Sequence, residues 1–199
     1  MFSSQERCLT ASRRSFLVAP LVLGGWWLLV RRAPRALPDA AEDGNGQTVA
    51  LLLCSNDGQR TETRALRKIV KTHAQWRAEL TSEAYAVTRL GATEFSFANK
   101  WWNEHGRGLY RCVCCATALF RSEQKFDSGT GWPSFTAPVA TANIATREDR
   151  TLAEFRTEVL CRKCDAHLGH VFDDGPTPAR LRYCLNSAAL AFVKYGTNT

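Results

Sequence analysis

Two patterns of apolar residues divide this chain. Between Thr63 and Leu80, the residues Leu66, Ile69, Val70, His73, Trp76 and Leu80 recur at helical intervals, which predicts an amphipathic helix over 63–80. Thr81-Ser82-Glu83-Ala84 predicts the cap of a second short helix reaching Val87 or beyond. From Gly91 onward Gly, Pro, Asn and Asp are frequent and the apolar runs are short: Leu109–Arg111, Ala118–Phe120, Leu152–Leu160, His170–Phe172, Leu181–Leu185 and Ala189–Tyr195. That pattern predicts short strands joined by long loops. Residues 41–62 are polar apart from Val49–Cys54 and predict a linker, which leaves 63–199 as one mainly β domain.

The N-terminus has a different character. Ser12-Arg13-Arg14-Ser15-Phe16-Leu17 resembles a bacterial twin-arginine export signal, and an apolar run from Phe16 to Val30 follows it. The run is shorter than the ~20 residues of a membrane-spanning helix, and Pro20, Gly24 and Gly25 weaken it as a helix. Arg31, Arg32 and Arg35 lead into Pro38-Asp39-Ala40-Ala41, a small-residue region suited to cleavage. Residues 1–40 are therefore expected to carry the protein to the periplasm. The alternatives are a membrane anchor, with Trp26 and Trp27 at the interface, or an organelle transit peptide.

Charge changes little once it is located. The formal net charge is +7, but six arginines against Glu6 and Asp39 put +4 of it in residues 1–40. The rest of the chain is only mildly basic, so no nucleic-acid partner is expected.

Cysteine usage changes more. Among eight cysteines, Cys112-Val-Cys-Cys115 and Cys161-Arg-Lys-Cys164 have the spacing of a four-thiolate zinc site, with Cys112, Cys115, Cys161 and Cys164 as ligands. Four thiolates leave no open position on the metal, so the site reads as structural. Cys114 makes the first knuckle ambiguous, and disulfides in an oxidising compartment are the alternative.

Cys184 stands outside that set. On a strand Arg182, Cys184 and Asn186 line one face, and a guanidinium beside a thiol favours the nucleophilic thiolate. The plainer reading is a buried, inert cysteine beside a surface arginine. His167 and His170, two of only four histidines, could donate a proton near neutral pH or could be structural. Trp132 lies in the glycine-rich stretch Gly129–Phe135, where it could wall an apolar pocket or simply fill the core. Two other function classes compete: a zinc-stabilised binding module, and a thiol-disulfide oxidoreductase whose redox centre is a Cys-x-x-Cys.

Gly-Thr-Gly-Trp-Pro-Ser-Phe at 129–135, His-Leu-Gly-His-Val-Phe at 167–172 and Arg-Tyr-Cys-Leu-Asn-Ser at 182–187, together with the knuckles, resemble the B-type peptide methionine sulfoxide reductases. The resemblance extends from roughly residue 70 to 193. It implies a β-tent-like fold of two antiparallel sheets with short N-terminal helices and a structural zinc. It implies repair of oxidised proteins and peptides under oxidative stress, by reduction of the R epimer of methionine sulfoxide. It makes Cys184 the nucleophile, places Trp132 at the substrate's methyl group, and surrounds the sulfoxide with Arg182, His167, His170 and Asn186. A monomer regenerated by a thioredoxin-like reductant is expected. Many members carry a resolving cysteine between the two glycines of the Gly-x-Gly-Trp turn, where this chain has Thr130. Cys54, in a segment expected to be flexible, is then the internal candidate to resolve the sulfenic acid, and an external thiol is the alternative.

Overall fold

The computed structural model describes residues 46–150 and 155–196. The expected export signal or anchor, residues 1–40, lies outside them. Among the described residues no helix is long and apolar enough to cross a membrane.

The chain begins with a hairpin. β1 (Thr48–Cys54) pairs antiparallel with β2 (Thr61–Arg67). Both depart from what the sequence pattern predicts: β1 falls in the expected linker, and β2 takes the first turns of the expected helix. The helical spacing that includes Leu66 arises by chance across a strand and a loop, and β2 is exposed at every residue but Leu66. β1 is held from its other side by the fully buried Asn143. That amide accepts from the Leu52 N–H at 2.8 Å and donates to the carbonyls of Leu52 (2.8 Å) and Ala118 (2.7 Å). A buried main-chain edge satisfied in this way behaves as a docked strand rather than a tether.

Helix α1 (His73–Glu79) starts where a capping box sets it. The Thr72 hydroxyl accepts from the Gln75 N–H at 3.2 Å, and the Gln75 side chain accepts from the Thr72 N–H at 2.8 Å. Helix α2 (Ser82–Leu90) is capped by Thr81, as its sequence predicts, and ends at Gly91 in the left-handed region. Trp76 of α1 is buried, and the Arg89 guanidinium of α2 stacks 4.1 Å from its ring.

The remaining strands are β3 (Gly108–Cys112), β4 (Ala118–Arg121), β5 (Lys125–Phe126), β6 (Ser134–Phe135), β7 (Ile144–Asp149), β8 (Arg156–Cys161), β9 (His167–Phe172), β10 (Arg182–Leu185) and β11 (Leu190–Lys194). They form two antiparallel sheets, six-stranded in the order β5-β6-β10-β9-β8-β7 and three-stranded in the order β11-β3-β4. The mainly β expectation with short helices is met, with the hairpin as a further element. Aromatic rings join the sheets. Phe120 lies 4.7 Å from Phe135 and 5.5 Å from Tyr183 between centroids, and Tyr110 lies 4.9 Å from Phe135. Because side chains alternate along a strand, committing Phe135, Tyr183 and Val159 to this core turns Ser134, Cys184 and Glu158 to the other face of the six-stranded sheet.

Candidate active site and cysteine cluster

The two Cys-x-x-Cys segments fold alike. In each, the first cysteine ends a strand, and its carbonyl accepts at 2.9 Å from the residue after the second cysteine (Ala116 or Asp165). Those two residues both have positive φ. The first knuckle joins β3 to β4 of the three-stranded sheet, and the second joins β8 to β9 of the six-stranded sheet. The four Sγ atoms of Cys112, Cys115, Cys161 and Cys164 lie within 4.8 Å of one another. Cys112 is 3.7 Å from Cys164, and Cys115 is 3.5 Å from Cys161. A tetrahedral ion with thiolates at about 2.3 Å would set sulfurs about 3.8 Å apart, so the cluster fits a metal ion that fastens one sheet to the other. Cys114 is not one of the four. Arg89 braces the second knuckle, donating to the Cys164 carbonyl at 2.8 Å and to its Sγ at 3.5 Å.

Cys184 sits on β10 within one transverse row. Reading across the sheet, Ser134, Cys184, His170, Glu158 and Arg147 are successive register partners on β6, β10, β9, β8 and β7. Opposed residues project from the same face, so five polar side chains from distant parts of the chain meet in a line. The neighbouring row on this face carries Arg182 opposite Phe172, with the guanidinium 4.5 Å from that ring. Asp174 holds this guanidinium through two parallel bonds of 2.8 Å each.

His167 joins this face, opposite Leu160, only because the strand is irregular. A residue three places from His170 would ordinarily point to the opposite face. Register shifts between Val159 and Leu160, and Gly169 adopts a φ of +151°. Gly169 has no room for a side chain either: a Cβ there would stand 2.1 Å from the Cys184 carbonyl oxygen. The twist brings the two imidazoles edge to face at 5.4 Å. Each is bound by a carboxylate that an arginine holds in turn. His167 Nδ1 bonds Glu158 at 2.7 Å, and Arg147 bonds Glu158 at 2.6 Å. His170 Nε2 bonds Asp149 at 2.8 Å, and Arg156 bonds Asp149 at 2.6 Å. Burial raises the Glu158 carboxyl's pKa, but the bonds from His167 and Arg147 outweigh it and hold the group below the usual carboxylate range. For His170 burial wins, lowering its pKa against the pull of Asp149.

Cys184 is half-buried. Burial pushes its thiol pKa above the ordinary value, while the charge of Arg182 and hydrogen bonds from Thr130, Arg182 and Ser134 pull the other way. The guanidinium thus acts on the thiol as its spacing suggests, yet desolvation is the larger influence and the net direction is upward. Thr130, Ser128 and Ser134 form a hydroxyl chain beside it, with both links 2.8 Å long. Trp132 is half-buried, and its Nε1 donates to the Glu94 carbonyl at 3.2 Å. The turn before it needs glycine: Gly131 has φ +81°, and a Cβ there would lie 2.6 Å from the Phe97 nitrogen. Asn186 is buried and spent on main chain, donating to the Leu168 carbonyl at 3.2 Å and accepting from the Glu94 N–H at 3.1 Å. Cys54 stands elsewhere. It lies in a strand rather than a flexible segment, Arg111 donates to its carbonyl at 2.7 Å, and its thiol has Arg121 and Arg111 as charged neighbours.

Five contributors escape a reading of the sequence alone: Glu158, Asp149, Asp174, Ser134 and Glu94. Glu158 and Asp149 alternate with Arg156 and Arg147 on β8 and β7, a strand-face signal that could have flagged them. Glu94 gives no such signal. Its buried carboxylate caps the turn at Ser187–Ala189, accepting from the Ser187 N–H and, at 2.9 Å, from the Ala188 N–H.

A thiol set among hydroxyl, guanidinium and imidazole groups, apart from four clustered thiols that could hold a metal ion, suits redox chemistry, and the class is oxidoreductase. The SelR domain matches residues 80–194, and the chain belongs to this family, the peptide methionine sulfoxide reductases of the MsrB type. A protein of Herminiimonas arsenicoxydans named peptide methionine sulfoxide reductase MsrB is 54% identical over 125 residues, 63% of this chain and 91% of the relative. Proteins of the same name from Synechococcus sp. (strain RCC307) and Thiobacillus denitrificans are 56% and 52% identical, over 59% and 61% of this chain and 86% and 92% of their own lengths.

Proposed function

We propose that this protein reduces the R epimer of peptide-bound methionine sulfoxide to methionine, with Cys184 as nucleophile. The observation that carries this reading is the transverse row that sets Cys184 beside His170, with Arg182 on the same face. Sγ of Cys184 attacks the sulfoxide sulfur. The oxygen moves from the substrate to Sγ, so the substrate sulfur gains two electrons and Cys184 loses two to become a sulfenic acid. The Cys184 thiol proton ends on that oxygen, and no net proton comes from solvent. Arg182, held by Asp174, stabilises the anionic sulfur, and Trp132 lies against the substrate's methyl group. Asn186 and Glu94 act by positioning, because their polar atoms hold the backbone around Trp132 and the end of β10.

Regeneration falls to an external thiol of the thioredoxin type. The position next to Cys184 is occupied by the Thr130 hydroxyl, and the strand pairing and side-chain bonds that hold β1 keep Cys54 among Arg111 and Arg121. The external thiol condenses with the sulfenic acid, releasing water, and a second thiol opens the mixed disulfide. Cys112, Cys115, Cys161 and Cys164 would hold zinc, whose preference for four thiolates suits the donor set. With every position filled, the ion would be structural. Export through the twin-arginine-like segment, residues 1–40, would place the enzyme in the periplasm.

Reduction of R- and S-methionine sulfoxide with dithiothreitol tests the assignment. Wild type should consume the R epimer alone, and Cys184→Ser neither. Consumption of the S epimer, or activity in Cys184→Ser, would overturn it.

A further inference from the structure

The segment that links α2 to β3 leaves two phenylalanines in solvent beside the Trp132 turn. Phe95 is 87% exposed and Phe97 is 55% exposed. The segment is fastened to that turn at two points. The Trp132 indole donates to the Glu94 carbonyl at 3.2 Å, and the Phe97 N–H donates to the Gly131 carbonyl at 2.9 Å. Asn99 tightens the attachment. Its amide donates to the carbonyls of Gly131 at 2.6 Å and Phe95 at 3.2 Å, and accepts from the Ser187 hydroxyl at 2.7 Å. The polar atoms of the segment are thus bonded to the body of the domain, while the two rings stay in water. Phe97 is costly in two ways. Its φ of +58° is strained for a bulky residue, and much of its apolar ring is exposed. The ring lies over Gly131, where a Cβ would stand 2.5 Å from its Cδ2, and meets the Trp102 ring edge to face at 5.4 Å. Exposed aromatic rings held in place on a fastened segment mark a contact surface.

We propose that Phe95 and Phe97 form a specificity ledge for a polypeptide substrate, taking the apolar side chain of a residue next to methionine sulfoxide. This rests on the reductase reading above and deepens it, by naming which oxidised sequences are preferred. Placement identifies the occupant. On one side of Gly131, Thr130 bonds the Cys184 thiol; on the other stands Trp132, the residue assigned to the substrate's methyl group. The Phe97 ring covers the glycine between them. Consecutive Cα atoms are about 3.8 Å apart, so a peptide that lays its methionine sulfoxide against Trp132 brings the next residue to the ledge. An apolar side chain there removes its own surface and that of the two rings from water. Free methionine sulfoxide has no such side chain. It brings a carboxylate instead, for which the rings offer no hydrogen-bond donor, and an acidic neighbour in a peptide is disfavoured for the same reason. Because the segment is already fixed by Asn99 and the Trp132 turn, little ordering offsets the contact.

The test is steady-state reduction, with dithiothreitol, of three blocked tripeptides by the full-length, metal-loaded protein. The peptides carry the R sulfoxide of methionine between two glycines, after a leucine, or before a leucine. For the better leucine peptide, kcat/KM should exceed that of the glycine peptide by about tenfold, the worth of burying roughly half of a leucine side chain. Phe95→Ser, at a position too exposed to hold the fold, should cut that ratio to about threefold. Adding Phe97→Gly, which relieves the left-handed backbone, should bring it to about one. Phe95→Ser alone decides if the double variant does not fold. Phe95→Lys should favour a peptide with aspartate in the leucine's place by about threefold over the glycine peptide, an effect that a merely structural role would not produce. A wild-type ratio within about twofold, or a ratio that Phe95→Ser leaves unchanged, overturns the ledge while the reductase reading stands. An unchanged ratio with a raised KM for thioredoxin assigns the rings to the reductant, and one with a dimer that Phe95→Ser dissociates assigns them to a second copy of the chain; either overturns the proposal. Wild type that forms no sulfide from any of the peptides overturns the reductase reading, and the ledge falls with it.

Discussion

Replacing Gly169 by alanine probes the point where scaffold and chemistry meet. Two costs follow from the structure. A non-glycine residue at φ +151° is strained by about 1–3 kcal/mol. The added Cβ would also stand 2.1 Å from the Cys184 carbonyl oxygen and 2.9 Å from Leu185 Cα. Both are backbone atoms, which cannot rotate away as a side-chain end could. Forcing β9 off β10 to make room costs about another 1–3 kcal/mol. A total of roughly 2–6 kcal/mol is a large share of the ~5–15 kcal/mol that stabilises a domain of ordinary size. At about 2–4 °C per kcal/mol, Tm should fall by roughly 5–20 °C. Calorimetry on wild type and Gly169→Ala measures this, and alkylation of Cys184 in the surviving folded protein reports the local shift. A Tm within about 2 °C of wild type, with alkylation unchanged, would refute the claim that the close approach of these two strands requires glycine.

Three further outcomes are expected. Arg182→Gln removes the charge that partly offsets burial of Cys184, so the thiol pKa should rise further. Iodoacetamide alkylation at pH 8 should then slow by about 3–10-fold, with its midpoint moved to higher pH; an unmoved midpoint would mean that Arg182 does not act on the thiol. Thr130→Cys puts a thiol where a hydroxyl now bonds Cys184. One turnover without external reductant should yield a disulfide between the introduced thiol and Cys184, seen by peptide mass mapping, and persistence of the sulfenic acid would contradict the contact. Cys161→Ser should abolish stoichiometric metal binding and lower Tm by on the order of 10 °C or more, measured by metal analysis and circular dichroism. An unchanged Tm would show that the four-cysteine cluster does not staple the sheets.

What could be read from the sequence was what depends on near neighbours along the chain. Each Cys-x-x-Cys pair belongs to one turn, so its spacing already dictates two thiolates converging on one point. Arg182 and Cys184 are two apart on one strand, and their shared face follows from strand geometry alone. Thr81 caps α2 because an N-cap needs only the next three residues. The hairpin was missed for the complementary reason. β2 is almost wholly exposed and has no buried face to imprint a two-residue alternation, while β1 is held in place by Asn143, 91 residues away.

The catalytic setting divides along the same line. The sequence by itself singled out Cys184 as the candidate nucleophile, His167 and His170 as candidate imidazoles and four thiols that could hold a metal, because each is a local arrangement of scarce residue types. Only the tertiary structure decided which carboxylate serves which histidine and that Cys54 is held in a strand among Arg111 and Arg121. It also decided that burial outweighs Arg182 at the Cys184 thiol. Those outcomes depend on sheet register, on the bulge between Val159 and Leu160 and on the depth at which each group is desolvated. They arise when strands distant along the chain are laid side by side, and local spacing holds no record of that pairing.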